Sequence, residues 1–321
     1  MMASETSRES ESDYEDSSLG SDAESSLHSL ESWVEKDREE NGRRYHSFKD
    51  GAYLMPNDEH ELDRLDLHHH VTLLMMDDKL HFAPLESPHR VLDVGTGTGI
   101  WAIDFADLFP AASVIGTDLS PVQPKWVPPN LEFQIDDAED EWTFHDKFDY
   151  IHIRSMAGSF GDWNKLLAQA FANLNPGGYV EIQEHEAWYN CYDDSLEKAP
   201  NIMNWMTKLR EASEKIGKPF LMLNTLAKTL ENVGFVDVNQ TIMEVPTGPW
   251  KEDKKFKLAG MYQREQMIEA ASAYGTAHFT RVLGWSLQEY QVLSSRVRKE
   301  MRNEDLRLWS KLYVVHARKP A

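Results

Sequence analysis

The chain has 321 residues, 41% of them hydrophobic, enough for a packed core, and no apolar run approaches the roughly 20 residues of a membrane span. Its formal net charge of −21 at pH 7 repels phosphate backbones and so argues against direct nucleic-acid binding. A single cysteine, Cys191, excludes an intrachain disulfide framework and fits a reducing compartment, so a cytoplasmic or nuclear setting is expected.

Residues 1–40 carry 13 acidic side chains against 3 basic ones, set among serines. Such a stretch buries too little apolar area to offset its ordering entropy, so residues 1–42 are expected to be a disordered acidic, Ser-rich tail. It has neither a basic n-region nor an apolar h-region and does not read as a secretory signal. Leu27, Leu30, Trp33 and Val34 recur at helical spacing and suggest a short docking helix. A domain follows over residues 43–321, opening with lead-in helices at 43–85. Within the lead-in stand His68, His69 and His70. Adjacent residues of one helix point in different directions, so these imidazoles do not share an ion, and no metal is expected.

After the lead-in the pattern alternates. Short apolar strands are predicted at 91–94, 114–116, 131–135, 150–153 and 179–182, with helices at 101–108 and 166–174. Asn175-Pro176-Gly177-Gly178 stops the second helix. A further helix at 226–230 ends at Gly234, and strands at 235–238 and 313–317 complete the set. This rhythm predicts an α/β fold with a Rossmann-like, doubly wound, mostly parallel seven-stranded sheet covered by helices on both faces. Helical insertions at about 185–225 and 246–305 break the rhythm and are expected to form a substrate lid beside the crevice. Late in the chain Arg296, Arg298, Lys299 and Arg302 cluster, but Glu300, Glu304 and Asp305 interleave with them, as on a solvated helix face.

The strongest chemical signal is Asp93-Val94-Gly95-Thr96-Gly97-Thr98-Gly99, between a predicted strand and a predicted helix. Glycines there permit positive φ and close approach of backbone to a ligand. A dinucleotide fingerprint would place its third glycine at position 100, which is Ile100, so a nicotinamide oxidoreductase is disfavoured. Asp118 ends the second strand, where a carboxylate can accept from both hydroxyls of a ribose. Asp137 and Ala138 follow the third strand, an acid for an adenine amino group beside a small residue that leaves room for the ring.

Taken with Leu174-Asn175-Pro176-Gly177-Gly178-Tyr179, these motifs resemble those of the class I S-adenosylmethionine-dependent methyltransferases. Narrower features resemble the LaeA-like methyltransferases of filamentous fungi: Pro56-Asn57-Asp58-Glu59, Arg64-Leu65-Asp66, Gly99-Ile100-Trp101-Ala102, Pro121-Val122-Gln123-Pro124, Asp140-Glu141-Trp142 and Gly248-Pro249-Trp250. The resemblance runs from about residue 45 to the end. It implies S-adenosyl-L-methionine as cofactor, with Asp93, Gly95, Gly97 and Gly99 at its methionine part. Asp118 would hold the ribose, and Asp137 with Ala138 the adenine; Thr96 and Leu119 complete the cofactor set. Family members include enzymes of secondary-metabolite gene clusters and regulators that act with protein partners.

Methyl transfer rests on alignment and desolvation, and a base helps when the acceptor must shed a proton. His185 and Glu184, after the fifth strand, are the candidate catalytic residues, with His152 and Arg154 as second choices. Trp188 and Tyr189 suit the wall of a flat acceptor or ordinary core packing. The reading is a transferase for an oxygen or nitrogen of a small molecule in fungal secondary metabolism. The alternative is a LaeA-like regulator working through protein partners, which the acidic tail would suit.

Overall fold

A computed structural model describes residues 37–49, 51–220 and 223–321. Residues 1–36 of the expected acidic tail, with the expected docking helix, lie outside them. The described chain opens on a hairpin of β1 (Arg38–Glu40) and β2 (Arg43–Tyr45). Its turn, Asn41-Gly42, has φ of +55° and +74°, the positive pair that a two-residue hairpin loop requires. Pairing therefore begins inside the stretch that composition assigned to the tail. Between residues 46 and 85 one helix is described, α1 (Glu59–Met75), capped by Asp58, whose side chain accepts from the Glu61 amide at 3.1 Å.

The central sheet holds β3 (Arg90–Val94), β4 (Ser113–Asp118), β5 (Leu131–Ile135), β6 (Phe148–Arg154), β7 (Leu174–His185), β8 (Val236–Thr247) and β9 (Leu308–Arg318). Their order is β5-β4-β3-β6-β7-β9-β8. Strands β3 to β7 run parallel, while β9 pairs antiparallel with both β7 and β8. The covering helices are α2 (Ile100–Leu108), α3 (Trp163–Asn173), α4 (Pro200–Lys215), α5 (Leu226–Val233), α6 (Lys254–Ala273) and α7 (Leu287–Met301). After α6, a short turn leads into a π-helical stretch, His278–Val282. None of the described helices is long and apolar enough to cross a membrane.

Both faces of the sheet are buried, as parallel strands demand. Along β6, Tyr150 packs with Trp101 and Phe105 of α2, while Ile151 and Ile153 join Leu167 of α3 and Leu226 of α5. Three strands run well beyond expectation. β9 starts at Leu308 rather than at residue 313, and its first residues pair with the far half of β8. β7 absorbs Asn175–Gly178 because the register shifts between Phe148 and Tyr150, so the glycines bulge rather than end pairing. β8 extends to Thr247 as an edge strand whose first half is mostly exposed, which leaves no apolar alternation to read. The basic cluster of α7 lies on a partly solvated face, with Arg298 3.4 Å from Glu269.

α1 buries an unusually polar stripe: Glu61, Arg64, His68 and Thr72, three or four residues apart and so on one face. Arg64 forks the Glu61 carboxylate at 2.9 and 2.7 Å and donates to Gln266 of α6 at 2.8 Å. Its guanidinium also lies over the Tyr274 ring, 4.8 Å from the centroid. Removing one partner leaves the other charge buried and uncompensated. Arg64→Ala is therefore expected to cost about 3–5 kcal/mol in denaturant unfolding, against under ~1 kcal/mol for an exposed pair such as Lys228–Glu231.

Candidate functional site

The loop after β3 threads three glycines through positive φ: +68° at Gly95, +59° at Gly97 and +80° at Gly99. Neighbours force two of them, since a Cβ on Gly95 would land on the Met156 thioether and one on Gly99 on the Phe133 ring. Gly97 differs. Its Cβ would meet only Leu65 Cδ1, at 3.6 Å, across open space. That space is a cavity of about 130 Å³ at the carboxyl ends of β3 to β6, bounded above by the segment around Tyr53 and by α1.

Of the residues expected at a cofactor, Gly95, Thr96, Gly97, Asp118, Leu119, Asp137 and Ala138 all line this cavity. Asp118 accepts from the amides of Gly97 and Ser120, each at 2.9 Å, and burial pushes its carboxyl up to about 6 against the pull of those two bonds. Asp137 accepts from the Glu139 amide at 2.9 Å and from Lys49 Nζ at 2.7 Å; burial raises its carboxyl, but those partners hold it below the usual range. Lys49 also reaches Asp140 at 2.6 Å, tying the lead-in segment over this end of the cavity. Gly99 sits behind the wall as the N-cap of α2.

Asp93 departs from expectation. One carboxylate oxygen accepts from Thr96 Oγ at 2.6 Å and the other meets His152 Nδ1 at 2.7 Å, and the residue does not line the cavity. It braces the glycine loop from below. His152, directly beside it in the β3–β6 register, is stacked on Trp101 with ring centroids 3.6 Å apart. A base role for His152 is thereby displaced: a sandwiched ring under the loop meets no acceptor.

A second cavity of about 130 Å³ adjoins the first, and Tyr53, Leu65, His68 and Ser155 line both. Its wall is aromatic, with Trp188, Tyr189, Trp205, Phe220 and Tyr274 drawn from the first insertion, the start of its helix and the end of α6. Trp188 and Tyr189 thus face a cavity as well as packing on the neighbouring core. The 185–225 and 246–305 insertions together roof this side of the crevice.

His185 stands at the end of β7 and lines this second cavity, both ring nitrogens buried and without a partner. Burial, with help from the Arg154 charge, pushes its imidazole down to about 3, so it is neutral at physiological pH. His68 packs 4.5 Å away, ring to ring, with Nε2 2.9 Å from Ser155 Oγ and Nδ1 unpartnered. Glu184 lines the same cavity but is differently engaged. Its carboxylate accepts from the amides of Met156 at 2.7 Å, Ala157 at 2.9 Å and His185 at 3.1 Å, and burial pushes it up to about 7. Three bonds commit it to holding the turn after β6. Arg154 lines the first cavity with one hydrogen-bond contact, to His69 Nδ1 at 2.9 Å, and burial pulls it down only to about 10. It stays cationic and cannot serve as a base. His69 also meets Asp104 at 3.0 Å, and His70 is exposed, so the three histidines point into three surroundings.

Sequence reasoning missed His68, Ser155, Tyr53 and Lys49 as wall or clasp residues. The four-residue spacing of Arg64 and His68 was the available signal, since it puts both on one buried face.

The donor set has a definite chemistry. One end of the first cavity offers two carboxylates to hydroxyl and amino groups, the middle offers bare backbone, and the far end a cation. Those groups fit a nucleoside carrying a zwitterionic side chain, and the adjoining cavity fits an apolar acceptor.

The family described as "Methyltransferase domain" matches residues 67–240. The chain is similar to the methyltransferase pytC of Aspergillus terreus, 38% identical over 301 residues, which span 93% of each chain. The secondary metabolism regulator laeA of Aspergillus flavus is 35% identical over 306 residues, 94% of this chain and 83% of that one. The protein-methionine methyltransferase laeA of Emericella nidulans is 34% identical over 305 residues, 94% and 81%. Among solved structures, Haemonchus contortus phosphoethanolamine N-methyltransferase 2 in complex with S-adenosyl-L-methionine is 18% identical and covers 95% of this chain and 75% of that one, with a TM-score of 0.48.

Proposed function

Since this chain belongs to the methyltransferase-domain family, as a LaeA-like class I S-adenosylmethionine-dependent methyltransferase, we propose that it methylates an oxygen or nitrogen of a small molecule in fungal secondary metabolism. One observation carries this reading: an aromatic-walled cavity meets the glycine-loop cavity at His68 and Ser155 and holds an unpartnered imidazole, His185. A protein that served only as a scaffold has no need of that second chamber.

When bound, the donor supplies an electrophilic methyl on a positively charged sulfur. Gly95, Thr96 and Gly97 would let backbone approach it, with Gly99 shaping the loop from behind, while Asp118 would accept from the ribose and Asp137 with Ala138 would border the adenine. Asp93 acts through Thr96, keeping the loop in shape. The aromatic walls align the acceptor and exclude water, which is most of the catalytic task. His185 takes the proton that the acceptor atom sheds. As its imidazole gains a positive charge, the adjoining cavity loses the one on sulfur, so the net charge of the two cavities together does not change.

Asp118 gives this reading a pH signature. Ionised, it accepts on both oxygens; protonated, it must surrender one acceptor position. Affinity for S-adenosylhomocysteine is expected to fall as pH drops through about 6, roughly tenfold per unit below it. Calorimetric titrations from pH 5 to 8 should show this slope in the wild type and a weak, flat profile in Asp118→Asn.

The function is tested by incubating the protein with methyl-labelled donor and an extract of small metabolites, then separating small molecules from protein. Label in a small-molecule fraction supports the proposal. Label confined to protein, with the donor bound normally, overturns it in favour of a protein-directed role.

A further inference from the structure

Arg154 ends β6, and its side chain extends on the same face as Tyr150 and His152, toward α1 and α2. Among the described residues no carboxylate comes within 4.0 Å of its guanidinium, while the other buried arginine at this crevice, Arg64, forks Glu61 at 2.7 and 2.9 Å. Its hydrogen-bond contact is the neutral Nδ1 of His69, at 2.9 Å. None of its nitrogens is among the buried atoms lacking a partner, so the unused donors open onto accessible space, and Arg154 lines the first cavity beside Ser155 and Met156.

The acidic groups that face it do not satisfy it. Asp93 and Asp104 are engaged with His152 and His69, and Asp66 on α1 attracts it through charge without forming an ion pair. Burial outweighs the attraction of all three and pulls the guanidinium down to about 10. A cation left short of compensation, with a planar fork of free donors in a ligand cavity, fits a carboxylate of the ligand itself.

We infer that Arg154 is the receptor for the amino-acid carboxylate of the methyl donor, at the opposite end of the first cavity from Asp137. This rests on the cofactor reading above and adds to it the residue that tells an amino-acid-bearing nucleoside from one without the carboxylate. His69 then acts as a positioning residue, held by Asp104 and holding the guanidinium in turn. The nucleoside end would confer affinity, and Arg154 would set the orientation of the chain that carries the sulfur.

The test compares two ligands by calorimetry: S-adenosylhomocysteine and its decarboxylated analogue, which keeps the nucleoside, thioether and amine. Wild type is expected to prefer the carboxylate ligand by roughly 10- to 100-fold, the range for a hydrogen bond to a charged group. Arg154→Gln should lose that preference while binding the decarboxylated analogue as wild type does, and Arg154→Lys should retain part of it. Equal wild-type affinity for the two ligands overturns the inference, as does an Arg154→Gln variant that weakens both equally or neither. Should Arg154→Gln fail to fold, the wild-type ratio and Arg154→Lys still decide. Wild type that binds neither ligand sinks the cofactor reading itself, a result distinct from all of these.

Discussion

Gly97→Val is expected to raise the dissociation constant for S-adenosylhomocysteine by at least about 100-fold while the domain stays folded. The two consequences have separate causes. A β-branched side chain at φ +59° is an outlier, and the left-handed conformation costs about 1–2 kcal/mol, a modest loss for a chain of this size. The protein leaves room for the new Cβ, which meets only Leu65 at ordinary contact distance, and the valine methyls extend beyond it. They project into the cavity where a ligand would lie against the bare loop. Any relaxation of the loop also moves the Gly97 amide off Asp118, so one substitution strikes two cofactor contacts. The same change at Gly99 would drive the Phe133 ring out of its packing and confuse ligand loss with unfolding, which makes Gly97 the cleaner position. Calorimetry should find no measurable binding, and thermal unfolding should drop by only a few degrees. Normal binding by this variant would mean that the loop is not the site.

The contrast between Gly97 and Asp93 shows what a linear sequence can and cannot convey about this site. Strand-end acids are legible because position decides their surroundings: Asp118 and Asp137 follow apolar strands, and a parallel sheet delivers such residues to one edge. Asp93 obeys the same rule of place, yet its oxygens are taken by Thr96 and by His152, and the second partnership exists only because β3 and β6 are neighbours in register. Spacing along the chain carries no trace of that. His68 and Ser155 were hidden for the same reason, as residues 87 apart in sequence meet where the two cavities join. The fold was more readable than the site because buried parallel strands announce themselves as apolar runs. Where strands lost that signature they were mistaken: the exposed half of β8 has none, and Asn175–Gly178 reads as a turn although the sheet bulges around it. The hairpin at Asn41-Gly42 carried a turn signal that the charge of its surroundings masked.

His185→Phe is expected to lower kcat for a hydroxyl acceptor by about 100-fold or more, the usual worth of a positioned base, with affinity for S-adenosylhomocysteine unchanged. Stability supplies the check that a merely structural histidine would fail. A buried imidazole with two unpartnered nitrogens is a standing cost of about 1–3 kcal/mol, so an apolar ring of similar size should leave the fold as stable or more so. The pH dependence carries a sign. Folded His185 titrates near 3 against about 6.5 in the unfolded chain, so the folded state binds fewer protons between those values. Its cost is absent above the unfolded value and grows as pH falls toward the folded one. Glu184, raised to about 7, acts the opposite way, favouring the fold at low pH and losing that contribution as pH rises from about 4.5 to 7. Because Glu184 is common to both proteins, the difference between their stability curves isolates His185: the wild type should lose more stability than His185→Phe between pH 6.5 and 4. A variant that kept its kcat, or that lost stability and activity together, would make His185 part of the wall and leave the proton of the acceptor to His68 or to water.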